Sequence, residues 1–143
     1  VTSFLFPPSV WLCAPVCCLP HQYHLIPTAL PWSRAQTYCR EHHADLATVS
    51  DTEDVERLLN AARGSAGKAW IGLHDNPTSW RWSFSDSCYY GEKEADYRNW
   101  GFGQPDNFFG DEMCVRMRAG GAWESSRCFL SVSLRLITPC HQT

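Results

Sequence analysis

Between Gly103 and Cys128 the chain gathers oxygen-bearing side chains. Gln104, Asp106 and Asn107 cluster around Pro105, Glu112 stands a few residues on, and Glu124, Ser125 and Ser126 follow Trp123. Amide carbonyls, carboxylates and hydroxyls suit a hard cation such as Ca2+, which takes about six to eight oxygen ligands. They suit acid–base catalysis less well. Asp106 and Glu112 are two carboxylates in one loop, but an enzyme also needs a nucleophile beside a base, or a matched acid and base. No Ser or Cys occupies a nucleophile motif. His42 and His43 fall on a predicted helix, and with His74 they do not make a zinc ligand set. The pattern points to a binding domain and away from catalysis.

Bulk composition narrows the partners. The 143 residues suit one domain, and 44% hydrophobic residues suffice for a core. A net charge of −3 gives no reason to expect nucleic acid or an anionic membrane as partner. The seven Trp are scattered, as core residues are. Eight Cys in so short a chain indicate an oxidising compartment, secreted or on the extracellular side of the cell surface. Paired Cys-x-x-Cys knuckles are missing, so the cysteines do not read as zinc ligands. Their number alone leaves the pairing open. Residues 1–19 form an apolar arm interrupted by Pro7, Pro8 and Pro15, read as a signal-peptide or anchor remnant rather than a span. Any membrane association is expected through this arm alone. The domain proper is expected over residues 20–143.

The oxygen-rich loop must be positioned by flanking elements. Pro31 is predicted to open a helix running to about His43, with Trp32, Ala35, Tyr38 and Cys39 on its apolar side. Ser50 and Glu53 have capping-box spacing. Val55, Leu58, Leu59 and Ala62 then recur as a core-facing stripe, which Gly64 and Gly67 end. Beyond Gly67 the pattern changes to strands: Ala69–Leu73, Trp80–Trp82 after an Asn76-Pro77 turn, Cys114–Met117, Ala122-Trp123 after Gly120-Gly121, and Leu134–Ile137. Residues 84–112 read as one long loop, a length that is usually functional or disordered inside a compact domain. Helices first, then short strands around a long loop, predict an α+β fold.

These residues also spell a family pattern. From about Gln22 to Cys128 the chain resembles the C-type lectin-like domain. The resemblance rests on Trp32-x-x-Ala35-x-x-Tyr38-Cys39, Ala44-Asp45-Leu46-Ala47, Trp70-Ile71-Gly72-Leu73, Trp80-x-Trp82-Ser83, Asn99-Trp100, Gly103-Gln104-Pro105-Asp106-Asn107 and Cys114 to Trp123-x4-Cys128, all in order. It implies two helices flanking two small antiparallel sheets, with a long loop carrying the ligand site. It further implies a calcium site in which a Gln-Pro-Asp tripeptide, a following Glu and a Trp-Asn-Asp tripeptide hold the ion, and the ion holds two neighbouring sugar hydroxyls. Gln104, Asp106 and Glu112 match the first three places, and the proline there is usually cis. The Gln-Pro-Asp order resembles galactose-type sites, and Phe108 stands where galactose binders often place an aromatic. The expected partner is therefore a glycan with a terminal galactose-like sugar.

Two departures matter. After Trp123 the expected Asn-Asp is Glu124-Ser125. Glu124 keeps an oxygen and is taken as the fourth metal and ligand contact, while Ser125 loses a carboxylate. This substitution keeps a rival reading open: a calcium-independent domain of the same fold that recognises a protein or other non-sugar ligand. The resemblance also implies a Cys114–Cys128 disulfide, and a second from Cys39 to a terminal cysteine. Leu136 occupies the terminal position, leaving Cys140 as the substitute within an atypical tail, residues 129–143. Cys13, Cys17, Cys18 and Cys88 have no family partner. The core is expected from Trp32, Tyr38, Leu46, Leu58, Trp70, Ile71, Leu73, Trp82, Val115 and Trp123.

Overall fold

The computed structural model describes residues 22–63, 67–75, 78–85, 90, 93–132 and 136–139. Two helices and six strands are ordered β1 (Tyr23–Ile26), α1 (Trp32–His42), α2 (Thr52–Ala61), β2 (Ala69–His74), β3 (Arg81–Trp82), β4 (Cys114–Met117), β5 (Trp123–Ser126) and β6 (Leu136–Pro139). A 3-10 turn, Glu94–Asp96, interrupts the long loop between β3 and β4. All pairing between named strands is antiparallel. A two-stranded sheet joins β1 to β6, and a four-stranded sheet runs β3-β2-β4-β5. The predicted α+β architecture of two helices and two small sheets is what forms.

Helix α1 starts one residue later than a first-turn proline predicts. Pro31 is the extended residue before the helix, and Trp32 begins it. Arg40 and His42 lie in the last turn, where positive charge favours the helix dipole. The cap of α2 also differs from expectation. Asp51, not Ser50, accepts from the Asp54 N–H at 2.8 Å, and Asp54 reaches back to the Ser50 N–H at 3.0 Å. The carboxylate at position 51 outcompetes the neighbouring hydroxyl because it accepts more strongly at a positive helix end. Ser50 Oγ is left buried without a partner. The helix ends at Ala61, with Ala62 as its C-cap. Gly64 and the Asn76-Pro77 turn lie outside the described residues. Strand β1 has no counterpart in the sequence prediction; its four residues are too few to show a period.

The four-stranded sheet separates two cores. One face carries Ile71, Leu73, Val115, Met117 and Trp123 against Tyr23, Val49 and Leu58. The other carries Trp70 and Cys114 against Trp32, Ala35 and Cys39 of α1, with Leu46 and Val132. Strand β2 is thus apolar on both sides and reads as an unbroken hydrophobic run. The ten residues expected in the core are buried, except for Tyr38, which is half-buried. Helix α2 also abuts the β4–β5 turn. Gly121 there has φ +92°, and a Cβ would meet Val55 Cγ1 at 2.9 Å, so only glycine fits.

The Cys114–Cys128 bond forms, with its Cα atoms 5.2 Å apart. It ties the start of β4 to the segment after β5, and the Cys128 carbonyl accepts from Trp32 N–H at the start of α1. Replacing both cysteines by serine is expected to remove about 3 kcal/mol of stability in chemical denaturation, from the loop-closure entropy restored to the unfolded chain. A loss below about 1 kcal/mol would mean that packing alone holds the segment.

The expected Cys39–Cys140 bond does not form. Cys39 is a free, fully buried thiol. Burial first, then the charge of Asp45, pushes the Cys39 thiol up to about 12. Leu136, where the resemblance implies a cysteine, opens β6 and pairs with Ile26 at the end of β1. Cys140 itself, with Cys13, Cys17, Cys18, Cys88 and the 1–19 arm, lies outside the described residues. No helix among the described residues is long and apolar enough to cross a membrane.

Candidate functional site

The loop from Asn99 to Met113 is bound to the outer edge of β5. Trp100 bridges Trp123 in parallel, Trp123 N–H donates to the Asn99 carbonyl at 2.9 Å, and Gly101 N–H donates to the Trp123 carbonyl at 2.8 Å. Asn99 Nδ2 donates to the Gly121 carbonyl at 2.9 Å. Trp123 packs edge-on against Trp82, Tyr97 and Trp100, so the loop rests on a nest of aromatic rings. After this anchor the chain turns through a cis Gln104–Pro105 bond, as the resemblance implies.

Three predicted site residues then converge on one atom, the Ser125 hydroxyl. Ser125 Oγ lies 2.6 Å from Glu112 Oε2, 3.3 Å from Asp106 Oδ1 and 3.3 Å from Gln104 Oε1. A serine hydroxyl has one proton to donate, and three acceptors face it. Glu112 is the shortest contact and takes that proton. Two carboxylates and an amide oxygen thus meet around one hydroxyl, an all-oxygen arrangement that favours a cation at their common centre. Backbone donors fix the set from behind: Ser125 N–H to Gln104 Oε1 at 3.0 Å, and Phe108 N–H to Glu112 Oε2 at 3.2 Å. Asn107 closes the loop. Its Oδ1 accepts from Glu112 N–H at 3.0 Å and its N–H donates to Ser125 Oγ at 3.3 Å, at φ +45°. Asparagine tolerates this left-handed backbone better than most residues.

Glu124, the fourth expected ligand, is not among them. Side chains alternate along a strand, so Glu124 projects to the face opposite Trp123 and Ser125. There it lies directly across from Arg116. Its Oε1 accepts from Lys68 Nζ at 2.5 Å and Arg116 Nε at 2.6 Å, and its Oε2 from Arg118 Nε at 2.5 Å. Burial by itself raises the Glu124 carboxyl, but the hydrogen bonds from Lys68 and Arg118 and the charge of Arg116 outweigh it and hold the group at about 2. The oxygen set is therefore Gln104, Asp106, Glu112 and Ser125. Among the described residues no group of three or more His, Cys, Asp or Glu is arranged to hold a metal. A cation here would have two carboxylates plus amide and hydroxyl oxygen to rely on.

Ser125 and Asn107 are the site residues that sequence reasoning missed. Counting in twos from Trp123 along β5 gives the side for Ser125 and removes Glu124. Around the site the surface is aromatic. Phe108 is 77% exposed, and Phe109 and Phe129 are also exposed. Phe108 and Phe109 meet edge-on at 5.0 Å. Arg127 stacks over Phe109 at 3.8 Å and pairs with Asp111 at 2.9 Å. Phe108 thus presents an exposed ring two residues from Asp106.

Comparison with known proteins bears on the fold and the family. A family model described as the lectin C-type domain matches residues 28–133. The chain is 30% identical to human asialoglycoprotein receptor 2 over 124 residues, covering 81% of this chain and 38% of the receptor. It is 29% identical to rat L-selectin over 139 residues, covering 88% of this chain and 36% of that protein. Among solved structures, the C-type lectin CEL-I from Cucumaria echinata is 27% identical with a TM-score of 0.67, covering 82% of this chain and 87% of that one. The chain spans little more than a third of these two curated relatives.

Proposed function

We propose that this chain, which belongs to the C-type lectin domain family, is a carbohydrate-binding module whose site is the oxygen cluster around Ser125. Its relatives are receptors and lectins, and the family is non-enzymatic. One observation carries the reading: Gln104, Asp106 and Glu112 all aim at the Ser125 hydroxyl, which can satisfy only one of them. All four donors are oxygen, the chemistry calcium requires. When bound, calcium supplies coordination positions for two neighbouring sugar hydroxyls. Asp106 and Glu112 bring the charge, Gln104 an amide oxygen, and Ser125 a hydroxyl in place of a carboxylate. The Gln104 amide can also donate to a sugar hydroxyl while Asp106 accepts from one. The Gln-Pro-Asp order and the open ring of Phe108 favour a galactose-like sugar, whose apolar face an aromatic covers. Eight cysteines and the receptor and lectin relatives favour an extracellular location.

Thermal unfolding of the oxidised protein in saturating calcium and in chelator tests this. Calcium at a hundred times its dissociation constant stabilises by about 2.7 kcal/mol, enough for a shift of several degrees. Asp106→Ala is expected to abolish the shift, and galactose-terminated glycan is expected to bind only with calcium.

A second reading has its own support. Glu124 is fully engaged by three cations, leaving two carboxylates where the family pattern has three. A calcium-independent domain that recognises a protein through the exposed aromatic surface predicts no calcium shift and glycan binding unchanged by chelator or absent.

A further inference from the structure

Helix α1 covers the second face of the four-stranded sheet around Trp70 and Cys114. Farther along the same face, Lys68, Arg116 and Arg118 gather on Glu124, with side chains 42%, 23% and 42% exposed. Three positive charges meet one negative charge. Both Glu124 oxygens are occupied, yet each cation uses a single nitrogen on it: Lys68 Nζ, Arg116 Nε and Arg118 Nε. A lysine carries three N–H donors and an arginine five, and no other acceptor among the described residues engages these three groups. Donors therefore remain on all three partly exposed side chains. The surplus charge stands out on a chain whose net charge is −3, and fixed local charge of this kind concentrates anions. The patch is also joined to the ligand loop. Arg118 Nη1 lies 3.3 Å from where a Cβ on Gly101 would sit, three residues before Gln104.

We propose that Lys68, Arg116 and Arg118, held in place by Glu124, receive the anionic oxygen groups of an acidic glycan, sulfate esters or uronate carboxylates. This rests on the reading of the chain as a carbohydrate-binding module. Glu124 acts as a scaffold. It clamps the two guanidinium groups by their Nε atoms, which leaves their terminal nitrogens without a partner among the described residues. The ammonium of Lys68 completes the cradle. An acidic oligosaccharide that extends past its first ring meets this patch along the Gly101–Gln104 segment.

The test is titration of the oxidised protein, with calcium, by three probes: a heparin-type sulfated oligosaccharide, its desulfated counterpart, and a neutral galactose-terminated oligosaccharide. The sulfated probe is expected to bind, more weakly as salt is raised. Lys68→Gln with Arg118→Gln is expected to weaken it roughly tenfold while leaving the neutral probe unchanged. Glu124→Gln removes the charge that holds the three cations in place and is expected to weaken it, although a competing anion is lost. Should that variant fail to fold, the Lys68→Gln/Arg118→Gln pair decides alone. Equal binding of the desulfated probe identifies the uronate as the recognised group, and its loss identifies sulfate. Sulfated binding that is absent, or unchanged in the double variant, overturns the proposal. Failure of the neutral probe alone overturns the galactose reading and leaves the anion site standing.

Discussion

Ser125→Asp is expected to raise calcium affinity by about tenfold or more and to make the fold depend on calcium. The substitution places a third carboxylate where Asp106 Oδ1, Glu112 Oε2 and Gln104 Oε1 already converge. Ligand charge count is a main determinant of calcium affinity in oxygen sites. The same change costs stability without the ion, because the hydroxyl that now donates to Glu112 becomes a third negative charge beside two others. Like charges in one pocket disfavour ionisation, and the loss in chelator is expected to be about 1–3 kcal/mol. Calorimetric titration with calcium, and unfolding with and without chelator, read both effects. An unchanged affinity would show that the loop does not gather around a cation, and would favour the calcium-independent reading.

Glu124→Ala has the other large effect. Removing the carboxylate leaves Lys68, Arg116 and Arg118 facing one another, and breaking a buried pair from one side can cost several kcal/mol. Lys68 and Arg118 are partly solvated, which lowers the expected loss to about 2 kcal/mol. Its pH dependence identifies the cause. The folded-state carboxyl sits at about 2 against an ordinary 4.5. Between these values the unfolded chain binds more protons, so the contribution of Glu124 is complete above 4.5 and is lost as pH falls through 2. Denaturant unfolding of the two proteins from neutral pH to pH 2 is expected to show a stability gap that narrows in this window. A gap that stays constant would assign the loss to packing rather than charge.

The elements that were legible in the sequence are those with a long period or a dense apolar run. The α1 pattern Trp32, Ala35, Cys39 and the α2 stripe around Leu58 each span several turns, and β2 is five consecutive apolar or small residues. Short polar elements were not. Strand β1 has four residues, and β5 was expected to stop near Trp123 yet runs on through Glu124, Ser125 and Ser126. That one misplaced boundary accounts for the site error. Read as loop, Glu124 and Ser125 are free to face the same way; in a strand they face opposite sides. Gln104, Asp106 and Glu112 were legible because their positions depend on a turn-rich motif and not on strand register. The cap of α2 moved by one residue for a related reason: spacing marks a helix start, while the stronger acceptor, Asp51, decides it.

The attachment of the ligand loop to β5 has a consequence for the sheet as a whole. An outer strand offers unpaired backbone groups that another chain can join. Here the loop itself occupies them: the Trp123 N–H and carbonyl bond the Asn99–Gly101 segment, and the Ser125 N–H is taken by the Gln104 side chain. The Gln104 amide that faces the ligand site is thus also a seal on the sheet. Anything that lifts this loop, such as loss of the Trp100 contact or a substitution at Gln104, opens an adhesive strand as well as removing a binding site. Self-association of the protein is then expected to rise together with loss of ligand recognition, because one segment of chain guards both.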